Sequence, residues 1–265
     1  MAVSKLARDY GRRAFGNDPA GYHRSRPEYP EWVFETLASR CGLRRGAALF
    51  EIGAGTGTAT QRLLQFGIDQ LVAIEPDKRL ADFLRTNSPD KALTLVISPF
   101  EDAKIPEGTF DLGFSATAFH WLDEDAALEK IARVLRPGGW WAAVWNVFGD
   151  ASRADPFHEA TSELLKGPAS PSAGDHGIPF ALDHAARLNA LRRRGFVSVE
   201  TLASQWSLTL TADQTIALYA TYSNVNARPD CEEVLAELGR IARDEFGDHV
   251  VRNMITRLYI AQRAD

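Results

Sequence analysis

The chain has 265 residues, of which 45% are hydrophobic and 25% are charged, and it carries a formal net charge of -5. This composition is typical of a soluble globular protein, and the acidic balance argues against general electrostatic binding to nucleic acid. The longest apolar stretch falls far short of the roughly 20 residues of a membrane-spanning helix. Cys41 and Cys231 lack the spacing of a disulfide framework or a zinc site. We therefore expect a cytoplasmic monomer or homodimer with no membrane, nucleic-acid or metal partner.

Residues 1–45 predict an arm followed by one helix. The arm, FGNDPAGYHRSRP, is rich in arginine and aromatic residues, and the helix, PEYPEWVFETLASRCGL, begins at a proline as many helices do. Tyr22, Arg26 and Tyr29 lie in or next to this arm. They either pack the arm against the surface or close it over a ligand.

Residues 46–150 alternate between apolar runs and segments with helical periodicity. The runs near 47–52, 70–75, 93–97, 110–115 and 140–147 predict strands with helices between them. This alternation is typical of a mostly parallel sheet with helices on both faces. The motif RPGGWW predicts a turn into the fifth strand, with Trp140 and Trp141 in the core.

Residues 151–265 predict a short helix, a loop at 167–180, a helix ending at Gly195, a long strand, two helices and a final strand. The helices between about 211 and 247 are interpreted as a cap inserted between the last two strands. The predicted fold is α/β, a single domain spanning 1–265. It has a Rossmann-like, doubly wound, mostly parallel seven-stranded sheet, helices on both faces and an N-terminal helical arm.

A glycine-rich turn follows the first predicted strand in LFEIGAGTGTAT. Ligands of doubly wound sheets bind outside the carboxyl ends of the strands, most often at this first turn. The spacing departs from the dinucleotide pattern G-x-G-x-x-G because Thr58 stands where the third glycine belongs. A P-loop is excluded because the turn contains no lysine.

Two carboxylates flank this turn. Glu51 ends the first strand, where it would repel a pyrophosphate but suit an ammonium or sulfonium group. Glu75 follows the second strand about twenty positions after the first glycine, where an acid can accept hydrogen bonds from ribose hydroxyls. Together they favour a nucleoside with a positively charged tail.

Five motifs in order resemble the class I S-adenosylmethionine-dependent methyltransferases, and most closely their trans-aconitate methyltransferase-like, type 11 branch. In chain order they are YHRSRPEYP in the arm, LFEIGAGTGTAT, AIEPD, FDLGFSATAFHWLD and RVLRPGGWWAAVWN. YATYSN is a later match. The resemblance implies S-adenosylmethionine as the cofactor, S-adenosylhomocysteine as its product, no metal, and a small-molecule methyl acceptor.

The resemblance also implies site residues. Glu51, Gly53 and Gly55 would surround the methionine part, Glu75 would bind the ribose, and Phe100 and Glu101 would contact adenine. The full cofactor set is Tyr22, Arg26, Glu51, Gly53, Ala54, Gly55, Gly57, Glu75, Pro76, Phe100, Glu101, Ser115 and Ala116. The expected acceptor-binding set is His120, Trp121, Tyr219, Tyr222 and Ser223.

The chemistry of the acceptor decides whether a base is needed. A hydroxyl or carbon acid must lose a proton, for which His120 is the first candidate and His23 the second, with Tyr22 a further catalytic candidate. A carboxylate needs only a cation, which Arg24, Arg26 or Arg228 could supply.

Three functions stay open at this point. The first is a methyltransferase acting on a small molecule by in-line displacement, with oxygen as the expected acceptor atom. The second is a protein of the same fold that binds the cofactor without transferring methyl, and the third is an NAD(P)-dependent oxidoreductase.

Overall fold

The computed structural model describes residues 5–148, 152–174 and 177–265, and its centre is one seven-stranded sheet. The strands are β1 Ala48–Ile52, β2 Gln70–Ile74, β3 Leu93–Val96, β4 Phe110–Ala116, β5 Leu135–Phe148, β6 Phe196–Leu210 and β7 Val250–Arg263. Their order is β3-β2-β1-β4-β5-β7-β6. The first five strands pair in parallel, whereas β7 runs antiparallel to both β5 and β6. The predicted fold class is confirmed.

Ten α-helices lie in the described part of the chain. They are α1 Pro19–Ser25, α2 Glu31–Arg40, α3 Thr58–Leu64, α4 Lys78–Asn87, α5 Glu124–Val134, α6 Pro156–Thr161, α7 His184–Arg193, α8 Ala212–Tyr219, α9 Ser223–Asn226 and α10 Cys231–Asp244. Helix α3 begins at the predicted position, directly after the glycine turn. In the predicted loop at 167–180, residues 175 and 176 lie outside the described residues.

Strand β5 begins five residues earlier than the sequence pattern indicates. The RPGG segment, expected to form a turn before the strand, lies within β5 at a register shift: Leu135 before it pairs with Phe110 of β4, and Trp140 after it pairs with Leu112. Gly138 has a φ of +71°, a conformation that a glycine adopts at no steric cost. The irregular backbone therefore bends the strand without ending it. Trp141 is buried in the core as expected.

Two apolar cores cover the two faces of the sheet because neighbouring strand residues point to opposite sides. Phe50 packs in the core that contains Ile131 of α5 and Leu191 of α7. Leu49, the preceding residue, packs in the core that contains Phe34 of α2 and Leu63 of α3. The two cores hold these parallel strands in place, so the carboxyl ends of β1, β2 and β4 lie side by side at the same end of the sheet.

A third apolar core lies beneath helices α8, α9 and α10, between β6 and β7 in sequence. It contains Leu218 of α8, Val225 of α9 and Leu238 of α10, together with Phe157 of α6. The predicted cap is thus a packed helical unit with its own core.

No helix of the described residues is long and apolar enough to cross a membrane. Across residues 5–148, 152–174 and 177–265, no group of three or more His, Cys, Asp or Glu side chains is arranged to hold a metal ion.

Candidate functional site

The turn between β1 and α3 is fixed by hydrogen bonds from its backbone to β2. The Gly53 amide donates to the Ile74 carbonyl at 2.9 Å, and the Gly55 amide donates to Glu75 Oε2 at 2.9 Å. Both glycines have positive φ, +69° and +57°. A side chain on Gly55 would meet nothing within 4 Å, so this glycine borders open space. The turn therefore presents bare backbone toward a cavity.

Gly57 has a different function from the other two glycines. It caps α3 with a φ of +91°, and a Cβ there would lie 2.3 Å from a methyl carbon of Leu84 in α4. It also lies outside the linings of the cavities described below. Gly57 therefore lets α3 and α4 pack closely, and the expected cofactor contact at this glycine stays a prediction.

Glu51 is a buried acid at the end of β1. Its side chain is 1% exposed and accepts one hydrogen bond, from the Thr60 hydroxyl at 2.6 Å. Burial raises the pKa of Glu51 to about 8, and the nearby Glu75 carboxylate adds to that rise. A buried acid without a cation is costly to ionise, so this position is suited to a positively charged ligand.

Glu75 joins the glycine turn to the start of α4. Its Oε2 accepts from the Gly55 amide, and its Oε1 accepts from the Asp77 amide at 2.9 Å. Burial raises the pKa of Glu75 to about 7, against the effect of these two hydrogen bonds. Each carboxylate oxygen retains a second lone pair, which can accept from a ligand hydroxyl.

Three cavities meet around Tyr22 and Thr117, which line all of them. The Glu75 cavity, of about 100 Å³, also contains Gly55, Pro76 and Phe100. The Glu51 cavity, of about 60 Å³, contains Ala54 and Arg26. The aromatic cavity, of about 290 Å³, contains Trp145, Phe180 and Tyr222. Gly53 and Ala116 border the first two cavities, so the three form a branched site.

The far wall of the Glu75 cavity includes Phe100 and Glu101, the two positions expected to contact adenine. Lys130 of α5 holds this segment, because its ammonium group donates to the carbonyls of Phe100 at 2.6 Å, Glu101 at 3.0 Å and Ala103 at 2.6 Å. Nothing in the sequence pattern indicated this lysine.

Replacing Lys130 by methionine should loosen that wall, because the apolar stem is retained and three hydrogen bonds are lost. We expect the free energy of unfolding to fall by about 1–2 kcal/mol and the affinity for an adenosyl ligand to fall roughly threefold to tenfold. Thermal unfolding and calorimetry would measure both. Lys166→Met, which removes an exposed lysine paired with Glu163 at 2.6 Å, is the control. Equal effects from the two variants would contradict this assignment.

The N-terminal arm forms one side of the branched site. Arg26, just after α1, donates to the Thr221 carbonyl at 2.8 Å, and its guanidinium lies 5.0 Å from the ring centres of both Tyr22 and Tyr222. The arm is therefore tied to the cap across the cavities. Arg24 and Arg228 lie elsewhere, with Arg228 bonded to the carbonyls of Leu164 and Lys166.

His120 lines the aromatic cavity, but its hydrogen bond opposes the expected function as a base. The indole Nε1–H of Trp145 donates to His120 Nδ1 at 3.0 Å. Because an indole only donates, Nδ1 carries no proton and the neutral ring carries it on Nε2. Burial, together with the charge of Arg26, lowers the pKa of His120 to about 3. His120 thus presents a donor to the cavity, and the base assignment is corrected. His23 bonds Thr56 at 3.0 Å and does not line the aromatic cavity.

Two other predicted site residues are structural. Ser115 is fully buried and donates to the Ile52 carbonyl at 3.0 Å, so it joins β4 to β1. Tyr219 accepts a hydrogen bond from the buried Arg252, which is paired with Asp155 at 3.0 Å. Neither side chain lines the three cavities. Trp121, Tyr222 and Ser223 line the aromatic cavity, and their contact with an acceptor stays a prediction.

Thr117 is the most central residue that the sequence pattern missed. It follows β4 with a φ of +53°, which is uncommon for a threonine, and its hydroxyl pairs with the Tyr29 hydroxyl at 2.7 Å. Strained backbone of this kind is concentrated at functional sites.

Other residues that the sequence pattern did not indicate also line the aromatic cavity. They are Ser170, Ser172 and Phe180 from the 167–180 loop, and Asn224 from the cap.

The branched site lies at the carboxyl ends of β1, β2 and β4, where doubly wound sheets bind their ligands. Residues 50–143 match the family model described as a methyltransferase domain. This segment is therefore similar to a methyltransferase domain, and the whole chain has the fold of class I S-adenosylmethionine-dependent methyltransferases of solved structure. The trans-aconitate methyltransferase-like branch stays a prediction.

Proteins with related sequences are also named methyltransferases. An uncharacterised methyltransferase of Mycobacterium tuberculosis is 35% identical over 137 residues, which is 50% of this chain and 52% of that protein. The chain thus spans about half the length of that relative. An uncharacterised methyltransferase of Schizosaccharomyces pombe is 27% identical over 95% of this chain and 97% of its own length.

Solved structures share the fold at low identity. Phosphoethanolamine N-methyltransferase 2 of Haemonchus contortus, in complex with phosphomonomethylethanolamine and S-adenosylhomocysteine, has a TM-score of 0.58 and 15% identity, covering 97% of this chain and 60% of its own. The cyclase SpnF has a TM-score of 0.58 and 14% identity, covering 100% of this chain and 99% of its own. The fold alone therefore does not specify the reaction.

Proposed function

We propose that the branched site binds S-adenosylmethionine and that the protein transfers its methyl group to a small molecule. The observation that carries this proposal is the pair of buried acids on either side of a glycine turn, which suits a cationic nucleoside and not a phosphate. Glu75 would accept the ribose hydroxyls, and Glu51 would face the positively charged methionine part. Phe100 and Glu101 would lie against adenine.

The residues present fit this cofactor in shape as well as in charge. The Gly55 backbone borders open space, and the Glu75 and Glu51 cavities share Gly53 and Ala116, so an elongated ligand can extend from one to the other. Arg26 lines the Glu51 cavity and would bind the methionine carboxylate. When bound, the cofactor supplies a methyl group on a positively charged sulfur.

The protein's main contribution would be positioning. Tyr22 and Thr117 stand where the two cofactor cavities meet the aromatic cavity, so they would frame the position of methyl transfer. Holding the reactants in line can lower a barrier by roughly 7–11 kcal/mol. The Tyr22 ring near a sulfonium would add about 0.5–2 kcal/mol of binding. The arm and cap would exclude water.

The acceptor would be a small molecule that reacts at oxygen. The aromatic cavity, at about 290 Å³, is near the lower limit of the roughly 300–1,000 Å³ of small-molecule sites. A chain with a net charge of -5 is not expected to attract nucleic acid.

A cofactor-binding protein without methyl transfer is the second candidate, because a cyclase shares the fold. Incubating the protein with methyl-labelled S-adenosylmethionine and a small-metabolite extract tests the choice. We expect label in a small product and stoichiometric S-adenosylhomocysteine. Tight cofactor binding with no labelled product from any extract fraction would favour the second candidate. An NAD(P)-dependent oxidoreductase is disfavoured by Glu51, which would oppose a pyrophosphate.

A further inference from the structure

Among the described residues, the lining of the aromatic cavity offers few groups that could accept a proton. Its described lining contains no Asp, Glu, Lys or Cys, and its ionisable side chains are Tyr22, Arg26, His120 and Tyr222. Of these, the Arg26 guanidinium can only donate hydrogen bonds, and burial raises the pKa of the Tyr222 hydroxyl far above its usual value. His120 is held with Nδ1 occupied by the Trp145 indole. Among the described lining residues, Arg26, Tyr222 and His120 are therefore not placed to take a proton from an acceptor.

The same cavity carries hydrogen-bond donors that have no partner. The Tyr222 hydroxyl and the Nε–H of Arg26 are buried and unpaired within the described part of the chain. His120 makes one hydrogen bond, through Nδ1, so its Nε2–H is also free for a ligand. Buried polar groups in native proteins are nearly always paired, and donors left unpaired around a cavity indicate a ligand that accepts. Around these donors lie the flat side chains of Trp121, Trp145 and Phe180.

We propose that the aromatic cavity binds its methyl acceptor as a preformed oxygen anion on a planar apolar body, with His120 Nε2–H and Tyr222 O–H donating to that oxygen-bearing group. This inference rests on the proposed function, because it names the class of acceptor. An aromatic carboxylate and an ionised phenol share this chemistry. His120 is thereby a specificity-determining donor.

The electron balance of the transfer is complete without a base from the described lining. The acceptor oxygen supplies the electron pair of the new carbon–oxygen bond, and the pair of the broken carbon–sulfur bond stays on sulfur as a neutral thioether. No proton has to leave. A neutral amine would instead give a cationic product beside Arg26, with no carboxylate in the described lining to stabilise it.

Binding of matched probes tests this inference without relying on turnover. Benzoate, benzamide and benzylamine have nearly the same shape and differ in charge, and 4-nitrophenol at pH 8.5 supplies a phenolate. Each is titrated into the protein loaded with S-adenosylhomocysteine. We expect benzoate or 4-nitrophenolate to bind at least tenfold more tightly than benzamide and benzylamine, and the better of the two distinguishes a carboxylate from a phenolate.

Equal or tighter binding of benzylamine, or no preference among the four probes, would overturn the proposal. Failure of S-adenosylhomocysteine to bind would instead contradict the proposed function, and the loading step reports this separately. A retained affinity for S-adenosylhomocysteine with a preference for the amine would contradict the acceptor class alone.

Two variants of the donors sharpen the result. Tyr222→Phe removes an unpaired hydroxyl, so the folded protein should be retained while the affinity for the anionic probe falls about fivefold to tenfold. His120→Gln keeps an N–H near the Nε2 position, whereas His120→Phe keeps only the ring shape. We expect His120→Gln to bind the anion within about threefold of the original chain and His120→Phe to lose about tenfold or more. Equal losses in the two His120 variants would contradict the donor assignment.

Discussion

Replacing Glu75 by glutamine is expected to weaken binding of S-adenosylhomocysteine about 100-fold, which corresponds to about 2.7 kcal/mol. A hydrogen bond to a charged group is worth about 1.5–3 kcal/mol, and the carboxylate would accept from the ribose hydroxyls. The amide also places an N–H donor beside a backbone amide, because both Glu75 oxygens already accept from Gly55 and Asp77. The loss therefore combines a ligand contact with disturbance of the turn.

Calorimetry with Glu75→Gln and with a matched surface variant measures this effect. Glu107 is an exposed acid 3.5 Å from Arg133, so Glu107→Gln makes the same chemical change far from the cavities. We expect normal affinity for the Glu107 variant. An affinity within threefold of the original chain for a folded Glu75→Gln would show that this acid does not bind the ribose.

Cofactor affinity is expected to rise steeply between pH 6 and pH 8. The pKa of Glu51 is raised to about 8 by burial, so the acid is mostly neutral at pH 6 and half ionised at pH 8. If a cation binds only the ionised acid, affinity rises almost tenfold per pH unit well below that pKa. The ligand's own α-amino group has lost about half of its proton by pH 8, so the net rise between pH 6 and pH 8 is roughly 20-fold, and affinity should decline at higher pH.

The variant Glu51→Gln separates this acid from other titrating groups. Its side-chain oxygen can still accept from Thr60, so the local hydrogen bond is retained. We expect weaker binding at pH 8 and a much flatter pH dependence from 6 to 8. Calorimetry in buffers of different ionisation enthalpy should also show proton release on binding at pH 7 for the original chain. An unchanged pH profile in the variant would exclude Glu51 as the titrating group.

The raised pKa values of Glu51 and Glu75 also determine how the free energy of unfolding of the ligand-free protein changes with pH. The pKa values of Glu51 and Glu75 are raised to about 8 and about 7, so the folded state binds more protons than the unfolded state above their ordinary pKa values. Their contribution is fully favourable below about pH 4 and is lost as pH rises through 7 and 8, by up to about 1.4 kcal/mol per pH unit for each group. Denaturant unfolding should thus give a lower free energy of unfolding at pH 8.5 than at pH 6. A smaller drop is expected in Glu51→Gln.

The fold and the arrangement of the glycine turn with its two acids could largely be predicted from the sequence, because both depend on local patterns. The alternation of strands and helices, the glycine turn, and the positions of Glu51 and Glu75 all lie within short stretches of chain. The β5 boundary was misplaced because RPGG is typical of a turn, yet pairing with β4 extends the strand through it. The cap was predicted from a change in pattern, and most of its core comes from that segment, with Phe157 of α6 added from outside it.

The hydrogen bonding in and around the aromatic cavity could not be predicted from the sequence, because it depends on contacts between distant segments. The hydrogen bond from Trp145 of β5 determines which ring nitrogen of His120 carries the proton. The hydroxyl of Tyr219 accepts a hydrogen bond from Arg252 of β7. Thr117 acquires its position from a strained backbone that no residue pattern indicates. Gly57 matches its neighbours in sequence but packs against α4. The same residue type can therefore bind a ligand or support a helix, and tertiary packing decides which.

Titration of S-adenosylhomocysteine and, separately, NAD into the protein at pH 8 tests the central claim most directly. We predict saturable binding of one S-adenosylhomocysteine per chain, strongly weakened by Glu75→Gln, and no comparable binding of NAD. Absence of S-adenosylhomocysteine binding, or preferential binding of NAD, would contradict the assignment of the glycine turn and its two acids to an adenosyl cofactor.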